Sequence, residues 1–102
     1  MNDKVLGMLG LAARAGKVLS GEDMVTDAIK SRKAEAVIVA SDASERSKKL
    51  FRDKCSYYHV PIYEYSDKEG LGHAIGKDER SSAAIVDRGL SEAIRKLLDS
   101  VN

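Results

Sequence analysis

Along the chain, stretches in which apolar residues recur every three to four positions alternate with short runs that are apolar throughout. Between Lys4 and Ala15, Val5, Leu9 and Ala12 keep helical spacing with Leu6 and Ala13 beside them, and Gly16 follows as a residue able to close the helix. Val18 and Leu19 read as a short apolar link. Ser20 is then expected to cap a second helix reaching about Arg32, with Asp23 favoured by the positive end of the helix dipole. Its apolar stripe is read as Met24, Val25, Ala28 and Ile29, which leaves Glu22, Asp23, Thr26, Asp27 and Lys30 outside.

Ala36 to Ala40 is continuously apolar and bounded by charge and by Ser41-Asp42, the pattern of a central strand buried on both faces. Asp42 and Glu45 are spaced as a capping box for a third helix. Phe51, Cys55 and Tyr58 form its inner face with Leu50 alongside, and Arg46, Lys48, Lys49 and Arg52 its outer face. Pro61 ends that helix, and Ile62 to Tyr65 alternates like a half-buried strand. Ser66 and Glu69 form a second capping box for a short helix with Leu71 and Ile75 inward and Gly76 at its end. After a polar loop from Lys77 to Ser82, Ala83 to Val86 reads as a buried strand, and Leu90, Ile94, Leu97, Leu98 and Val101 mark the inner face of a closing helix. Helices and strands alternate throughout, which predicts an α/β chain folded as a three-layer α/β/α sandwich.

Composition narrows what such a sandwich could do. With 102 residues and 43% hydrophobic content the chain is expected to form a single domain over residues 1–102. Lys and Arg number 17 against 16 Asp and Glu, a net charge of +1, so any nucleic-acid contact must come from a local patch. The single cysteine, Cys55, lies on an apolar stripe and is read as a small core residue in a reducing environment. His59 and His73 have no partner at metal-ligand spacing, so neither a metal nor a cofactor is expected. There is no P-loop, nucleophile elbow, zincin motif or plausible triad, and Gly70, Gly72 and Gly76 fall within a capped helix. These observations argue against an enzyme and against a small-molecule substrate. The start of the chain lacks the apolar core of a signal peptide, and no run approaches the roughly 20 apolar residues of a membrane span. A cytoplasmic protein without a membrane partner is expected.

The run Leu9-Gly10-Leu11-Ala12-Ala13-Arg14-Ala15-Gly16-Lys17, followed by Ser20-Gly21-Glu22-Asp23, resembles the bacterial YlxQ-type branch of the ribosomal L-seven-Ae family. Further matches are Ala36 to Ser44, Asp53-Lys54-Cys55, Val60-Pro61, Leu71 to Lys77 and Ala84 to Gly89, so nearly the whole chain is covered. The resemblance implies a mixed four-stranded sheet between helix layers, and binding of kink-turn RNA, ribosomal RNA included, at one end of the sandwich by a monomer. It assigns the RNA surface to the glycine-led start of the second helix from Gly21 to Asp27, to Lys17 before it, and to the loop from Lys77 to Ser82. The residues carried over are Lys17, Gly21, Glu22, Asp23, Met24, Asp27, Lys30, Lys77 and Arg80. Archaeal and eukaryotic members begin this helix with Gly-x-Asn-Glu and place a Lys three residues on, where this chain has Asp23, Met24 and Asp27. Those changes remove an amide donor, a base-edge acceptor and a positive charge. The competing reading is a protein-interaction module that kept the fold with a weakened RNA surface. Beside these readings, the cluster from Arg46 to Lys54 is read as a solvated helix face, and Tyr57 and Tyr58 as packing residues.

Overall fold

The structure, a computed structural model, describes residues 3–101. Nine elements follow in the order α1 (Lys4–Arg14), β1 (Val18–Ser20), α2 (Glu22–Lys30), β2 (Ala36–Val39), α3 (Glu45–Tyr58), β3 (Ile62–Glu64), α4 (Lys68–Ala74), β4 (Ser82–Ile85) and α5 (Arg88–Ser100). The strands form one mixed sheet in the order β1-β4-β2-β3. β4 runs antiparallel to both neighbours, pairing Ser20 with Ala83 and Val39 with Ser82, while β2 and β3 are parallel, with Val37 opposite Ile62. β2 and β4 are buried at every position, because α1, α4 and α5 group against one another in one layer and α2 and α3 pack together in the other. The three-layer sandwich predicted from the alternation of patterns is therefore the fold.

The core gathers the residues that periodicity assigned to it. Val5, Leu9 and Ala12 of α1, Val25, Ala28 and Ile29 of α2, Phe51 and Cys55 of α3, and Ile94 and Leu98 of α5 are all buried around Val37, Ile38 and Ile85. Five details differ from the reading of the sequence. Val18 and Leu19 are not a link but strand β1, formed because their backbone pairs with Ile85 and Ala84 far along the chain. Met24 is off the inner stripe and 51% exposed. Of the two tyrosines, Tyr58 is partly buried and Tyr57 is exposed, its ring edge-on to Tyr58 at 4.8 Å. Val101 lies past the end of α5 and is exposed, so the inner face ends at Leu98.

The fifth difference concerns helix starts. α3 is capped by Ser44, whose Oγ accepts from the Ser47 amide, and α4 by Asp67, whose Oδ1 accepts from the Gly70 amide. The expected caps Asp42 and Ser66 have other tasks. Asp42 Oδ1 accepts from the Lys68 amide at 2.8 Å, and the Ser66 carbonyl accepts from the Ser41 amide and hydroxyl, so the two helix starts are tied to each other. Both caps thus lie one or two residues later than the spacing predicts.

The loop before β4 is held by its backbone. The Lys77 amide donates to the Gly72 carbonyl at 2.9 Å and the Arg80 amide to the Lys68 carbonyl at 3.1 Å. α4 can lie this close because Gly72 has no side chain: a β-carbon there would run into the Asp78 carbonyl. The loop therefore reaches the end of the sheet in a fixed position, beside the start of α2.

Candidate nucleic-acid interface

Gly21 follows directly from β1 and has φ 94° and ψ 152°, a conformation open essentially to glycine alone. The chain turns there from strand to helix within one residue. A consequence is that α2 begins without a side-chain cap, and Ser20, the cap expected from the sequence, is instead the last residue of β1. Among the described residues the other four helices are each capped by a side chain, from Asp3, Ser44, Asp67 and Asp87. The first amides of α2 are thus left for an outside acceptor. A β-carbon on Gly21 would meet no heavy atom within 4 Å, so the space in front of this turn is open.

A cleft of about 360 Å³ lies beside this turn. Ser20, Gly21 and Glu22 form one side, Glu79 to Ser82 the second, and Ser47 and Phe51 of α3 the third. Arg80 Nε donates to Ser20 Oγ at 3.2 Å and its Nη1 to the Glu79 carbonyl at 2.8 Å, which fixes the guanidinium across the cleft wall. Arg46 at the start of α3 forms an ion pair with Glu22 at 2.9 Å. This pair is well exposed and contributes less than about 1 kcal/mol, so its effect is to orient Glu22. Ser82 is 1% exposed, yet its hydroxyl has no hydrogen-bond partner among the described residues.

The structure brings together only part of the residue set that the resemblance assigned. Gly21, Glu22 and Arg80 line the cleft. Asp23 and Met24 are exposed on the first turn beside it, and Asp27 and Lys30 continue along the exposed face of α2, away from it. Lys77 is exposed at the far side of the loop. Lys17 is not brought to the cleft: its carbonyl accepts from the Val86 amide, at the other end of β1 from Gly21, which separates the two by roughly 13 Å of extended chain. Sequence reasoning missed Ser47 and Phe51 as a wall of the cleft, and Arg46 as the partner of Glu22. The one signal available for them was charge complementarity between Arg46 and Glu22, 24 residues apart, which pattern along a chain does not reveal.

The first turn of α2 carries Glu22 and Asp23, so this side of the cleft opposes phosphate while offering carboxylate acceptors and open backbone amides. Such a surface suits the donor and acceptor edges of unstacked bases better than a nucleic-acid backbone. No group of metal-ligating side chains occurs among the described residues. No helix among them is long and apolar enough to cross a membrane.

Known proteins are similar to this chain over almost its full length. The chain is 42% identical over 92 residues to the RNA-binding protein YlxQ of Bacillus subtilis, covering 90% of this chain and 92% of that one. It is 41% identical over 96 residues to the YlxQ protein of Enterococcus faecium, covering 94% and 92%. A solved structure of a protein of unknown function from Bacillus halodurans superposes with a TM-score of 0.93 at 40% identity, over 96% of this chain and 99% of that one. None of these relatives is named as an enzyme, in agreement with the absence of catalytic motifs. Residues 3–95 match one family description, and with the two YlxQ proteins so similar over nine-tenths of the chain, this protein belongs to the ribosomal protein L7Ae/L30e/S12e/Gadd45 family, in its YlxQ-like branch.

Proposed function

We propose that this protein binds structured RNA of the kink-turn type, in the cytoplasm and in association with ribosomal RNA, as a monomer that uses the cleft between the start of α2 and the loop before β4. The names of the YlxQ relatives and of the family support RNA as the ligand. The observation that carries the reading is the start of α2: the glycine-only turn at Gly21 leaves the helix uncapped and open to an approaching ligand, where the other helices are closed by a side chain. Kink-turns fit this shape because their unstacked bases present donor edges, which Glu22 and Asp23 accept, while exposed Met24 gives an apolar surface beside them. Arg80, braced by Ser20, supplies fork donors from the opposite wall.

A second reading rests on that same Met24. An exposed apolar side chain next to Asp23 and Asp27 is also what a basic protein segment would take, as expected of a module that kept the fold with a weakened RNA surface. Electrophoretic shift with a kink-turn RNA, a kink-turn with its unpaired nucleotides removed, and a linear RNA separates the two. Preference for the intact kink-turn supports the reading proposed; equal weak shifts of all three favour the protein partner.

A further inference from the structure

A second cleft, of about 420 Å³, lies at the opposite end of the sheet from the first. α2 and α3 each start at the first cleft and end at the second, so nine and fourteen residues of helix, about 14 and 21 Å, separate them. Its walls are the segment after α2 with Arg32, the end of α3 with Tyr58 and His59, and the first two turns of α5 with Arg88 and Arg95.

Four helices of this protein close in the same way. Beyond α1, α2, α3 and α4, the amides of Lys17, Lys33, Val60 and Lys77 each donate at 2.9 Å to a carbonyl five residues back. This closure requires a left-handed residue just before the donor, a place where glycine is the default. α1 and α4 use Gly16 and Gly76, both at φ 74°. α2 and α3, the two helices that end at the second cleft, instead hold Arg32 at φ 64° and His59 at φ 59°. Backbone preference alone would select glycine at all four ends. At this cleft the chain tolerates strain to place a guanidinium and an imidazole.

The arginines are each braced on one side. The Arg32 guanidinium lies 5.8 Å from the centre of the Tyr58 ring, Arg88 Nε is 3.5 Å from Glu92, and Arg95 Nε donates to the Tyr63 hydroxyl, which donates in turn to Asp99. A guanidinium has five N–H donors, so one such contact leaves most of each fork free. Glu35 and Glu92 also line the cleft and offset two of the three guanidinium charges, which leaves a set of directed donors in place of a broad positive field. Directed, planar forks match phosphate oxygens.

We propose that this second cleft holds backbone phosphates of the same RNA whose bases occupy the first. The proposal rests on the RNA-binding reading above and completes it: the first cleft sets Glu22 and Glu79 against Arg80 alone, the net charge is +1, and most of the backbone charge has to be met elsewhere. Lys17 lies at this same end of the sheet, beside Val86. The test is the double variant Arg32→Gly/Arg88→Gln, in which the glycine is the residue that the backbone favours, so folding is preserved. On a structured RNA long enough to span both clefts, the slope of log Kd against log salt should fall by about 2 and affinity at low salt by about tenfold. The urea midpoint should stay or rise. In parallel, inorganic phosphate titrated into wild-type protein should move the imidazole NMR signals of His59 and leave those of His73, on α4 outside the cleft, in place. Wild-type protein that binds no RNA would sink the functional reading and this one with it. RNA binding with an unchanged slope in the variant, or phosphate moving both imidazoles or neither, would overturn this proposal alone.

Discussion

At the scale of single residues, Gly21 and Cys55 show how a backbone angle and an environment set behaviour. Gly21 holds a conformation that L-residues avoid while its surroundings are open, so substitution acts through strain and not through collision. Gly21→Ala should therefore destabilise by about 1–3 kcal/mol in urea titration, more than Gly76→Ala, whose φ of 74° lies in the ordinary left-handed region at a cost of about 1 kcal/mol. Equal losses would show that the turn at Gly21 is no more strained than the ordinary left-handed turn at Gly76. Cys55 is buried in the core, and burial pushes its thiol from 9.0 up to about 11. The unfolded chain then loses this proton first, so the thiol leaves stability untouched below about pH 9 and lowers it as pH rises from 9 toward 11. Urea midpoints at pH 8.5 and 10.5 should differ less in Cys55→Ala than in wild type. A thiol reagent at neutral pH should leave folded Cys55 unmodified for as long as the core is closed.

At the scale of elements, α2 carries the decision between recognition of bases and attraction of charge. Its first turn is acidic and its outer face places Asp23, Asp27 and Lys30 along one side. Replacing Asp23, Met24 and Asp27 by Asn, Glu and Lys changes the net charge of the helix by about two units toward positive, and charge alone would strengthen binding to every RNA and fade with salt. Base-edge hydrogen bonds would instead favour a kink-turn and persist at higher salt. The expected result is a gain on the kink-turn, larger than that on a duplex, that survives salt titration. The same gain on both RNAs would mean that the start of α2 contributes field and not recognition. This element was legible in the sequence as a helix with an exposed acidic face. That Met24 belongs to the exposed part was not, because the stripe of a nine-residue helix leaves its edge positions undecided until a neighbour covers them.

At the scale of the molecule, the sheet couples everything: β2 and β4 are covered on both faces, and each helix layer rests on them. Ile38, wholly buried between a parallel and an antiparallel neighbour, should cost about 2–5 kcal/mol on truncation to Ala. The one-domain reading adds that this loss should appear as a shift of a single urea transition with unchanged slope. Two separated transitions would divide the chain instead. The Cα radius of gyration of 11.9 Å is near the roughly 13 Å of one compact body this size, which supports the single transition. The whole molecule also sets the arrangement of charge. With opposing charges nearly equal in number, what distinguishes the two ends is placement: Glu22 and Glu79 face Arg80 at one, and Arg32, Arg88 and Arg95 face Glu35 and Glu92 at the other.

The five helices, the strands after the first, and from their alternation the layered fold are legible along the chain, because burial imprints periods of 3.6 and 2 on neighbouring residues. The sequence also marks Gly21 and Arg80 for one site through the family's motif. That Val18 to Ser20 is a strand follows from the fold alone, since three residues gain that state through a partner more than 60 positions away. The fold decides the helix caps too: Asp42 could have capped α3, but its carboxylate is held by the Lys68 amide, 26 residues away, and Ser44 takes the place. The two clefts belong to the same class. Ser20, Arg46 and Arg80 meet at one end, and Arg32, His59 and Arg88 at the other, because the chain's returns through the sheet bring together residues whose separation along it carries no period to read.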